Sequence, residues 1–191
     1  MAEGVAAAED DAAVLAATRR WLVRAVIGLN LCPFAKSVYI KEQIRYVVSR
    51  AQSDQEVLDE LAAELLYLAG ADPALVDTSL LILPRALPDF ADYNDLLPRA
   101  QRAVKRARLN GVLQIAGFHP RYQFSGSAPD DIENHSNRSP YPILHLLRED
   151  SIARGVQAFP DAAAIYERNQ QTLRRLGHEG WRQWMDAPAG N

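Results

Sequence analysis

The stretch TSLLIL at residues 78–83 leaves few choices for the fold. Its apolar and β-branched positions run almost without interruption to Pro84. They lack the alternation of a strand with one wet face, and so call for a sheet covered on both sides. In a chain of 191 residues that cover comes from amphipathic helices, and the neighbouring sequence supplies them. Residues 53–70 open with Ser53 and Glu56 at capping-box spacing, place Val57, Leu61, Leu65 and Leu68 on one face, and close at Gly70.

The same alternation extends along the chain. A helix is expected over residues 13–29, with Leu15, Leu22, Val26 and Leu29 at helical spacing and Asn30 as its stop. In LCPFAK, Pro33 disfavours helix at Cys32 and marks a turn or a new helical start. IRYVVS, residues 44–49, reads as the first strand, and VLQIAGF, residues 112–118, as the third. Between the second and third strands a helix is expected over residues 89–109. Tyr93, Leu97, Ala100, Val104 and Ala107 face inward, Pro98 kinks it, and Asn110-Gly111 closes it.

Beyond residue 141, residues 142–148 and 151–159 read as helical, and Asp161 caps a helix running to residue 176 with Gly177 behind it. Residues 181–185 are expected to pack back on the body. The fold class is therefore α/β, a small three-stranded and mainly parallel sheet flanked by helices, with a helical C-terminal region. One domain is expected over residues 13–186, between a disordered lead-in, 1–12, and a disordered tail, 187–191. With parallel strands and right-handed crossovers, Arg85 and His119 emerge at the same carboxyl edge, where open α/β sheets bind ligands.

Composition narrows the function classes. The 21 Lys and Arg against 24 Asp and Glu give a formal net charge of -3, so the chain has no global attraction for polyanions. In RAQRAVKRAR, residues 99–108, the charges flank an apolar stripe as on a solvated amphipathic face, and no nucleic-acid partner is expected. No run of about 18 apolar residues is present, so no membrane partner is expected. Cys32 is the only cysteine, which rules out an intrachain disulfide and fits a reducing compartment. The acidic, alanine-rich start lacks the charged and apolar regions of a signal peptide, so a cytoplasmic location is expected. Cofactor and oligomeric state are not legible.

The candidate site is the turn-rich segment 117–150, which follows the third strand and is crowded with reactive side chains. His119, at a strand end before Pro120, is the candidate acid or base. Arg121, Arg138 and Arg148 form the candidate clamp for a carboxylate or phosphate, or else pair with Asp130, Asp131, Glu149 and Asp150 to pin the loop. Tyr122, Gln123, Asn137 and Ser139 are candidate orienting hydrogen bonders, with Asn137 and Ser139 equally suited to a turn and cap.

Cys32 is either a nucleophile activated by His119 or His145, or a small buried hydrophobe between Leu31 and Pro33. His145, inside ILHLL, is either its partner or a core histidine. Cys32, His119 and His145 would also make three metal ligands, but no HxxxH or CxxC pair supports that set and no metal is assigned. The expectation is a protein acting on a small anionic ligand, as an enzyme using His/Arg acid–base chemistry or as a non-catalytic binding or sensing module.

Three further motifs occur together: NLCPFA at residues 30–35, GFHPRYQF at 117–124 and NRSPYPILHLLRED at 137–150. With them the chain resembles a bacterial family, domain-of-unknown-function family fourteen-fifteen. The resemblance covers nearly all of the chain after the lead-in. It implies a single-domain bacterial protein and supplies no activity.

Overall fold

Parallel strands β1 (Ile44–Val48) and β2 (Thr78–Ile82) form half of the sheet, joined by helix α3 (Asp54–Gly70) in a β-α-β unit. The structure, a computed structural model, describes residues 10–158 and 164–187. Helix α1 (Asp11–Trp21) precedes the unit and continues as a π-helical turn over Leu22–Ile27, followed by the short α2 (Ala35–Ile40). After β2 come α4 (Phe90–Arg106), β3 (Leu113–Phe118), a 3-10 turn at Ile132–Ser136, β4 (Ile143–Arg148), α5 (Glu149–Ala158) and α6 (Ala164–Asp186). Gly177, at φ 65, breaks α6 into two helical segments.

The expectation of three mainly parallel strands is corrected to four in a mixed sheet, ordered β1-β2-β4-β3. Residues 143–148, read from sequence as helix, are the inserted strand β4, antiparallel to both neighbours. A six-residue run of mostly apolar side chains fits a buried helix turn and a central strand equally well, and only pairing partners decide between them. Because β4 reverses the sense twice, β2 and β3 still run the same way, and their carboxyl ends do share one edge.

Each face of the sheet has its own core. Leu81, Leu144, Leu146 and Leu113 pack under α3 and α4 with Leu61, Leu65, Tyr93 and Leu96. Leu80, Ile82 and Ile143 pack on the other side under Val14, Trp21, Leu22 and Val26. All five positions of β2 are buried, as the apolar run requires.

The local signals act as read. Ser53 and Glu56 form the reciprocal cap of α3, a feature that stabilises a helix by about 1 kcal/mol. Gly111, at φ 76, lies between α4 and β3. The lead-in is shorter than expected, since α1 begins at Asp11 with Asp10 capping it. The second half of α6 packs back on α1: Arg24 Nε donates to the carbonyl of Trp184 at 2.7 Å, and Trp184 Nε1 to that of Arg24 at 2.8 Å. The expected cap Asp161, with Phe159 and most of the tail, lies outside the described residues.

Candidate functional site

The segment after β3 uses its polar side chains on itself and on the link between β2 and α4. A long irregular segment has backbone carbonyls and amides that no ladder satisfies, and side chains must take them. His119 is fully buried between Phe90 and Tyr93, with ring centroids at 5.3 and 5.1 Å. Its Nε2 donates to the carbonyl of Leu87 at 3.1 Å, and its Nδ1 accepts from the amide of Arg121 at 3.0 Å. Desolvation pushes its pKa below the ordinary 6.5, so it stays neutral. Both ring nitrogens are thus taken, which leaves His119 without the free nitrogen that an acid, a base or a metal ligand needs.

The expected clamps are engaged as well. Arg121 donates to the carbonyl of Pro88 at 2.7 Å and pairs with Asp89 at 3.0 Å. Arg138 bonds the carbonyls of Tyr122 and Pro129, at 3.1 and 2.6 Å. Gln123 bonds that of Ser127 at 2.6 Å, Asn137 that of Gly117 at 3.2 Å, and Ser139 that of Tyr141 at 2.5 Å. The ring of Tyr122 lies tilted against Phe90 and edge-on to Phe124, with centroids at 5.2 and 5.0 Å. Arg148 lies apart from all of these. It sits at the end of β4 and donates to the carbonyls of Leu68, Ala71 and Val76 at 2.6, 2.8 and 3.1 Å, closing the exposed end of α3. Of the expected acidic partners, Asp131 accepts from the Ala128 amide; Glu133, outside that set, pairs with Arg174.

Cys32 and His145 meet elsewhere. They line one cavity of about 670 Å3 between the sheet, the π-helical end of α1, α2 and α5. Such a volume suits a small organic ligand. Trp21, Leu22, Val26, Leu80, Phe118 and Leu147 make its walls apolar. Its lining includes Ile44 of β1 and Thr78 of β2, at the amino ends of the parallel strands, and lies on the face of the sheet away from Tyr93 and His119. Strand β4 is what brings His145 there, pairing it with Leu80 and Ala116 on the face that α1 covers.

At the mouth, exposed Lys41 and Arg154 stand beside Asp77 and Ser151. Ser151 Oγ donates to Asp77 at 2.5 Å and accepts from Arg154 at 2.8 Å. Two cations against one carboxylate leave the opening net positive.

Burial sets the state of the two reactive groups. It lowers the pKa of His145 from 6.5 to about 4. It raises that of the Cys32 thiol above 9.0, and the backbone amides of Phe34 and Ala35 oppose that shift only in part. At neutral pH the pair is imidazole and thiol, so the thiolate–imidazolium pair of an activated nucleophile is absent from the unliganded protein. Among the described residues no group of three His, Cys, Asp or Glu side chains could hold a metal ion. No helix among them is long and apolar enough to cross a membrane.

Sequence reasoning missed Thr78, Lys41, Arg154, Asp77 and Ser151. One signal was available: His145 interrupts the apolar run ILHLL, and Thr78 heads the run that ends at Leu83. In a covered sheet, two polar side chains are expected to find one another, and Thr78 Oγ1 lies 2.7 Å from His145 Nε2. The mouth residues carry no comparable mark.

A family model described as a protein of unknown function (DUF1415) matches residues 13–183. No curated protein and no solved structure matches the chain.

Proposed function

The chain belongs to the DUF1415 family of proteins of unknown function, and we propose for it the role of binding a small organic anion with an apolar body. The observation that carries this reading is the cavity of about 670 Å3, apolar within and flanked at its mouth by Lys41 and Arg154. An apolar body gains by leaving water for those walls, at about 25 cal/mol per Å2 buried. A carboxylate or phosphate at the outer end meets both cations while keeping part of its hydration. Binding is favoured over catalysis because Cys32 and His145 are both held in their neutral, unactivated forms.

The test pairs two probes of one shape and opposite charge, phenylacetate and phenethylamine, in calorimetric titration and thermal melting. Phenylacetate is expected to bind and raise Tm, phenethylamine to do neither, and the Lys41→Glu/Arg154→Glu variant to reverse the preference. Equal affinity for the two probes overturns the anionic reading. Turnover of phenylacetate or its esters, followed by proton NMR and lost in Cys32→Ser, would convert the binding reading into a catalytic one.

A further inference from the structure

We infer that the ligand of this cavity carries a hydrogen-bond donor, a hydroxyl or N–H group, at its inner end, received by Nδ1 of His145. The inference rests on the binding reading above and adds the chemistry of the buried end. It follows from a count of protons. Thr78 Oγ1 lies 2.7 Å from His145 Nε2 and 2.6 Å from the carbonyl oxygen of Leu146. The hydroxyl has a single proton, and the carbonyl can only accept, so that proton goes to Leu146. Thr78 Oγ1 must then accept from His145, which places the imidazole proton on Nε2 and a bare lone pair on Nδ1.

Among the described residues nothing donates to that lone pair, although His145 lines the cavity. No hydrogen bond joins it to Cys32, which lines the same space. The ring is neutral at physiological pH, so Nδ1 does not answer the need by taking a proton from water. The lone pair also orients the ligand, because an inward carboxylate would set acceptor against acceptor with no proton between them, while an outward one reaches Lys41 and Arg154. An acceptor lining an apolar cavity favours a ligand that brings the donor, since an analogue lacking it takes the nitrogen out of water and leaves it unpaired.

Three probes separate this inference from the reading beneath it: 4-hydroxyphenylacetate, phenylacetate and tyramine, each titrated calorimetrically into the full-length protein. The expected order places 4-hydroxyphenylacetate at least tenfold tighter than phenylacetate, and tyramine weakest. In His145→Leu the advantage of the hydroxyl disappears, the affinities for 4-hydroxyphenylacetate and phenylacetate coming within about twofold of each other. If that variant does not fold, 15N NMR of the wild-type imidazole gives the same answer: the Nδ1 resonance moves upfield with 4-hydroxyphenylacetate and stays in place with phenylacetate. Equal affinity for the two anions overturns the donor inference and leaves the anion reading standing. Tyramine binding as tightly as 4-hydroxyphenylacetate overturns the anion reading alone, and failure of all three probes overturns both.

Discussion

Gly155 on α5 lies so close to Phe34 that a Cβ built on it would stand 2.8 Å from the ring. The two residues line the same cavity, Gly155 from α5 and Phe34 from the turn before α2, so their contact sets how closely α5 packs over the space.

Gly155→Ala therefore sets a helix gain of about 1 kcal/mol against overpacking of about 1–3 kcal/mol. The expected result is a Tm lower by a few degrees and weaker binding of phenylacetate. Adding Phe34→Leu should recover most of both, giving a coupling above about 0.5 kcal/mol in a double-mutant cycle. Additive effects would mean that the two side chains do not gate the opening.

His119 is expected to matter to stability and not to the ligand. Its Nε2 bonds the carbonyl of Leu87, a residue held at φ 56, and its Nδ1 receives the Arg121 amide. His119→Phe should cost about 2–4 kcal/mol in urea denaturation, because two buried backbone groups lose their partner. Affinity for phenylacetate, corrected for the folded fraction, should stay within twofold of wild type. A large loss of affinity with stability intact would restore the site first expected after β3.

Arg148 spends its guanidinium on backbone carbonyls, and its value to the fold lies in closing them. Arg148→Met should destabilise by about 3 kcal/mol, since the carbonyls of Leu68, Ala71 and Val76 are left in a dry setting. Arg148→Lys should recover only a minor part, because an ammonium cannot fork toward three acceptors at once. The hydrogen-exchange protection of the last turn of α3 reports the same loss locally.

Acid should weaken the fold before its carboxylates titrate. Burial lowers the pKa of His145 to about 4, and burial followed by Arg138 and His178 lowers that of His135 to about 4 as well, both from 6.5. Above pH 6.5 both rings are neutral, folded or unfolded, and contribute no slope. As pH falls below 6.5 the unfolded chain takes up protons that the fold refuses, so stability declines until about pH 4, where the native rings titrate too. Between pH 7 and 5.5 each should remove about 1 kcal/mol, read from urea midpoints, buried His119 adds to the same slope, and His145→Asn should remove only its own share of the loss. A flat stability profile over that interval would contradict the burial assigned to both rings.

How much of this was legible depends on the range of the force involved. The Ser53–Glu56 cap, the helical faces of α3 and α4 and the covered strand β2 are fixed by residues a few positions apart, and the sequence alone determined them. It also determined that Cys32 and His145 were worth suspecting. The fate of ILHLLR was not local. Six residues of this kind satisfy a helix or a strand equally, and the choice fell to partners on β2 and β3 far along the chain. That pairing carried His145 to Thr78, 67 positions away, and Arg148 to the end of α3. It also decided which polar groups were left over. The loop after β3 spent its imidazole and guanidinium groups on its own backbone and on that of the link before α4, while a hollow on the other face of the sheet kept an unclaimed imidazole nitrogen and two cations in its lining. Spacing along a chain reports which groups are present, and only packing reports which of them the fold has already consumed.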